Sequence, residues 1–107
     1  MYLYHLQTTS YARHKASDKL VDSISDLSDK FIESMQGSRN YRASLKPNSV
    51  IVENQDDSSI VVLLNDFSKW LQGKLPLYLT KSDTDLLNIR DEMLAATNKT
   101  KYLFTLE

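Results

Sequence analysis

His14 and Asp18 stand one helical turn apart, and so do Asp29 and Glu33. Imidazole and carboxylate groups at that spacing present their donor atoms together, a shell suited to iron or another first-row transition metal. At about 100° per residue, all four lie on one side of a helix, together with Asp22 and Asp26. The two pairs are about 16 Å apart along the axis, too far for one ion in a single helix. They are nevertheless symmetric: His14 with Glu33, and Asp18 with Asp29, are both centred between Ser23 and Ile24. A second copy laid antiparallel about that point would set His14 and Asp18 against the partner's Asp29 and the partner's Glu33. Two identical sites would form about 22 Å apart, each with one imidazole and three carboxylates. An acidic, serine-rich face also reads as plain solvated surface. The spacing permits both.

The element that carries these residues runs from Tyr11 to Gly37. Leu20, Ile24, Leu27, Phe31 and Met35 recur at steps of three and four, which predicts one buried stripe of a long helix over residues 11–36. Ser10 supplies an N-cap, and Gly37 a C-terminal stop. Upstream, Met1 to Gln7 reads as a helical stump. In one unbroken helix His5 would face away from His14, but Thr8-Thr9-Ser10 offers a break at which the chain can turn and lay His5 over the start of the long helix.

Residues 38–57 are polar and read as a loop with Pro47, the triplet Val50-Ile51-Val52 and a helical turn near Tyr41 to Leu45. Arg39, Arg42 and Lys46 form a loose basic cluster there, a phosphate contact or a solvated loop. Without an aromatic platform, three cations do not make a nucleic-acid surface. Asp56 or Asp57 caps a helix over residues 57–72 with the stripe Ile60, Leu63, Leu64, Phe67 and Leu71. Val61 and Val62 widen that stripe, which predicts a well-buried helix with Trp70 packed beside its core. Gly73 and Pro76 end it, and Leu75 to Lys81 reads as an apolar connector over one end of a bundle. Ser82 with Asp85 resembles a capping box for a last helix over residues 83–104. Within it, Arg90 is expected to pair with an acid of a neighbouring helix. No His follows Asp91 or Glu92 by three residues, so a complete intrachain di-iron site is not built.

Composition sets the limits. The 107 residues suffice for a single domain, residues 1–107, with one modest core. Two Gly, two Pro and 41% apolar residues fit a compact helical chain. The absence of Cys excludes disulfides and thiolate metal sites and is compatible with a reducing cytoplasm. A formal charge of −1 and the lack of a lysine-rich tail give no drive towards nucleic acid. No apolar run is long enough for a membrane span. No serine or cysteine nucleophile set, phosphate loop or dinucleotide fingerprint is present.

The run His14-x3-Asp18-x10-Asp29-x3-Glu33 resembles the ligand-bearing second helix of the Dps-like relatives of ferritin, which oxidise and store iron. The phrases YHLQTTSYARHKASDKL, LLNIRDEML and NKTKYLFTL are similar, over most of the chain, to a ferritin-like family encoded by bacteriophages and large DNA viruses. The resemblance implies an all-α, ferritin-like bundle with three main helices, its first helix truncated or reduced to a stump at residues 1–8. It implies His5 as the further ligand, giving a metal set of His5, His14, Asp18, Asp29 and Glu33 shared across a two-fold interface. Iron (Fe2+/Fe3+) would be the metal, ferroxidase-type activity or iron sequestration the function, and a homodimer or larger homo-oligomer the assembly. The location would be the cytoplasm, that of the host cell if the chain is virus-encoded. The alternative is a metal-free helical interaction or accessory module of viral origin, whose acidic face is wet or meets a basic partner.

Overall fold

The computed structural model describes residues 1–42, 44 and 52–106. It comprises helices α1 (Tyr2–Gln7), α2 (Tyr11–Arg39), α3 (Ser59–Gly73) and α4 (Thr84–Leu103), with a 3-10 turn at Leu75–Tyr78. The fold is all-helical, with no strand among the described residues. The three main helices and the short N-terminal one lie within a few residues of their expected bounds. Expectations placed on Leu45, Lys46, Pro47, Val50 and Ile51 lie outside the described residues.

The start of α2 is as the sequence indicates: the Ser10 hydroxyl accepts the Arg13 amide at 3.1 Å. Its end is not. The helix passes through Gly37 and stops at Asn40, which takes the left-handed conformation (φ 54°, ψ 46°). Asparagine reaches that region at low cost, so it can replace glycine as the terminator. Gly37 is thus a helix-interior glycine, and a methyl group there would meet no atom within 4 Å. Gly37→Ala should accordingly raise the unfolding free energy by about 0.5–1 kcal/mol in urea denaturation, through the smaller backbone entropy of the unfolded chain.

Helix α4 is the central element. It packs against both α2 and α3, which are not extensively packed on each other, while α1 lies on α2. One end of the core gathers Tyr4, Ala16, Leu20, Ile60, Leu64 and Phe104. The other gathers Phe31, Leu71, Leu86, Ile89 and Met93. Ile24 touches both clusters and joins them. Thr97 and Thr100, both buried on α4, return their hydroxyls to the carbonyls of Met93 and Ala96 at 2.8 and 2.9 Å. Small side chains that satisfy themselves on their own helix leave room for close packing.

Four local expectations are corrected. Helix α3 is buried on one side only: Val62, Leu63 and Trp70 are 58, 40 and 41% exposed, although Trp70 does stack on Phe67. Among the described residues Arg90 reaches no acid of a neighbouring helix; it pairs with Asp91 beside it at 2.8 Å and donates to the Leu71 carbonyl at the end of α3. Helix α4 is preceded by Asp83 rather than capped by Ser82. The Asp83 carboxylate turns back to the Thr80 amide (2.8 Å) and the Arg39 guanidinium (3.1 Å), which hold it below the usual carboxylate range. Of the connector, Leu75 and Leu79 join the core, but Leu77 and Tyr78 are exposed.

Candidate metal centre

Thr8 adopts an extended conformation, which ends α1 after six residues. The chain reverses through Thr9 and Ser10, and α1 lies back along the first turns of α2. Two anchors fix it there. Tyr4 is buried against Phe104, with ring centroids 5.9 Å apart, and its hydroxyl donates to Asp57 at 2.7 Å. Burial pushes the Tyr4 phenol up, so it remains a donor. Arg13 is the second anchor. Its guanidinium donates to the Tyr4 hydroxyl (3.2 Å) and to the Asp57 and Phe104 carbonyls (3.0 and 3.5 Å), and lies 4.7 Å from the centre of the Phe104 ring.

This docking brings His5 onto His14. Their rings stack with centroids 4.3 Å apart and planes 21° from parallel. His14 Nδ1 lies 2.8 Å from the His5 carbonyl oxygen. A carbonyl only accepts, so Nδ1 carries the proton and Nε2 is the donor atom left for a ligand. A backbone carbonyl fixing the tautomer in this way is the usual support behind a metal-binding imidazole. His5 is itself buried, with Nε2 3.5 Å from Asp18 Oδ1, while its Nδ1 has no hydrogen-bond partner among the described residues. The Tyr2 ring lies 5.5 Å away, tilted 40° to the imidazole.

Of the five expected ligands, His5 lies against both His14 and Asp18 within one chain. Asp29 and Glu33 do not join them: both are exposed, and the helix that carries them keeps Asp29 about 16 Å from Asp18. Among the described residues, no three His, Asp, Glu or Cys side chains are spaced to hold a metal ion by themselves. The residue types nevertheless suit such an ion, since His5 Nε2 lies 3.5 Å from the Asp18 carboxylate and the His14 tautomer is fixed by a backbone carbonyl.

Sequence reading missed Tyr4 and Arg13, the residues that place His5. Arg13 had a visible signal, since at about 100° per residue it falls on the same side of α2 as Leu20, Ile24 and Phe31. A cation on a buried stripe demands partners. Tyr4 had none beyond being apolar, because its partners Asp57 and Phe104 are remote in sequence.

The fold and this cluster define a small all-helical protein with a histidine–carboxylate group at one end. Residues 5–104 match the model of a family of unknown function, DUF5856, and the chain belongs to that family. The matched stretch spans every candidate ligand from His5 to Glu33. Comparison with curated proteins and with solved structures gave no match.

Proposed function

We propose that this protein is a ferritin-like, Dps-like metal binder that takes up iron at sites shared between two copies of the chain. The observation that supports this best is the return of α1, which sets His5 beside His14 and Asp18 with the His14 tautomer fixed by a backbone carbonyl. Two imidazoles and one carboxylate leave a first-row metal ion short of ligands. An antiparallel second α2, crossing near Ser23 and Ile24, would add the partner's Asp29 and the partner's Glu33. Ferrous ion would be the substrate, losing its electron to dioxygen or peroxide, and the carboxylates would favour the more highly charged ferric product. The residues of this chain bind and orient the ion. His14 supplies Nε2, His5 a ring nitrogen, and Asp18 a negative charge at the mouth of the cluster.

Anaerobic titration with ferrous iron, and with cobalt(II) as a spectroscopic stand-in, tests the proposal. One ion per chain is expected, with binding coupled to dimer formation in sedimentation. His14→Ala and Asp29→Ala should each weaken binding by roughly tenfold or more, since loss of even a supporting residue costs that much. Loss in His14→Ala alone would replace the shared site with an intrachain one. Unchanged affinity in both variants would remove the metal proposal.

A further inference from the structure

The turn between α3 and α4 carries the two most exposed large apolar side chains among the described residues, Leu77 at 80% and Tyr78 at 77%. It is not a loose loop. Its 3-10 geometry is closed by the Leu77 amide on the Lys74 carbonyl and the Leu79 amide on the Pro76 carbonyl, both at 3.1 Å. Leu75 and Leu79 pack on the core cluster that holds Leu71 and Leu86, and Pro76 restricts the backbone between them. Just beyond, the Asp83 carboxylate accepts from the Thr80 amide at 2.8 Å and from the Arg39 guanidinium at 3.1 Å. The turn is thus pinned on both sides, with one apolar pair facing the core and the other facing water. Burial within the chain makes no use of the outward pair.

The charges around the tip narrow its partner. Lys74 and Lys81 bracket it, both are exposed, and neither forms an ion pair among the described residues. Asp83 is already neutralised by Arg39. Asp85, an exposed acid, is set back on the first turn of α4. At the end of α2, Glu33 and Arg42 line one hollow and offset each other in charge. The tip itself therefore carries an excess of positive charge. Lysine is depleted at protein interfaces, where arginine is the favoured cation. A convex tip also encloses no small molecule. A lipid surface uses every part of it. Leucine reaches the hydrocarbon boundary and tyrosine settles among the headgroups. Lysine stems lie along apolar surface while their ammonium groups meet phosphates.

We propose that the Leu75–Tyr78 turn docks on the surface of an anionic phospholipid bilayer, with Leu77 and Tyr78 entering the headgroup region between Lys74 and Lys81. The contact is peripheral and reversible, since one apolar pair and two cations are a weak anchor. It is independent of the metal reading, because no residue of the turn is among the proposed ligands.

Trp70 is the only tryptophan. The double variant Trp70→Phe, Tyr78→Trp therefore places a single emitter on the tip. With chelator present, vesicles of phosphatidylcholine containing about one third phosphatidylglycerol should shift its emission to the blue. Co-sedimentation of the unaltered chain gives the affinity. Each lysine near such a surface is worth about fivefold, so Lys74→Gln with Lys81→Gln should weaken binding roughly twentyfold. Pure phosphatidylcholine should bind at least as weakly. Leu77→Asn with Tyr78→Asn should cost roughly tenfold or more. Both side chains already face water, so circular dichroism should show the helices unchanged. No blue shift, equal affinity for neutral and anionic vesicles, or full binding by the Leu77 and Tyr78 variant would overturn the proposal. A lipid-free dimer that this variant dissolves would overturn it too, by assigning the tip to a second copy.

Discussion

Tyr4→Ala should lower the unfolding free energy by about 3–5 kcal/mol, the range for deleting a buried aromatic ring. It should also loosen His5 from His14. Tyr4 is 1% exposed, packs with Ile60, Leu64 and Phe104, and carries the hydroxyl shared by Asp57 and Arg13. A six-residue helix has no stability of its own. Without the Tyr4 anchor α1 leaves the surface of α2, taking with it the carbonyl that orients the His14 ring. Urea denaturation followed by circular dichroism reads the first effect, and the imidazole proton signals of His5 and His14 read the second. Tyr4→Phe separates ring from hydroxyl. It should cost about 1 kcal/mol, the usual net worth of such a hydrogen bond, and leave the two imidazoles stacked. Similar losses in both variants would show that the polar contacts, not the packed ring, hold α1 in place.

Leu71→Ala should be as damaging to stability and silent at the histidines. Leu71 is fully buried among Phe31, Leu86, Ile89 and Met93, at the end of the core remote from His5. Truncation removes its transfer free energy and leaves a cavity in a closely packed site, together about 2–5 kcal/mol. Its carbonyl, which accepts from Arg90, belongs to the backbone and survives the change. The His5 and His14 signals should therefore match those of the unaltered chain under native conditions. A disturbance of these signals would mean that Ile24 transmits packing changes from one cluster to the other.

The outline of the fold was legible because its elements are local. The α2 stripe, its Ser10 cap and the break at Thr8 to Ser10 each involve residues within a few positions of one another. That break also permits the return of His5, although the contacts that hold it there, to Asp57 and Phe104, are long-range. The stop of α2 was misplaced because Gly37 and Asn40 are both competent terminators, and only the backbone records which one takes positive φ. The burial of α3 was overestimated for a different reason. Periodicity identifies an apolar face but not what covers it, and Val62, Leu63 and Trp70 of α3 are left exposed. Arg90 was paired with the wrong group because a guanidinium is satisfied by a helix-end carbonyl, here that of Leu71, as well as by a carboxylate. The convergence of Tyr4, Arg13, Asp57 and Phe104 depends on tertiary contacts across nearly the whole chain, and no local pattern announces it.

Phe104 lies near one limit of the described chain and Tyr4 near the other, yet they share a contact. During translation, α2 can coil as soon as it leaves the ribosome, but the seat for α1 is unfinished until the final turn of α4 has emerged. Until then the two imidazoles have nothing to hold them face to face. Their assembly thus waits on the synthesis of α4, and a nascent chain released before it would carry both histidines but not the arrangement they form.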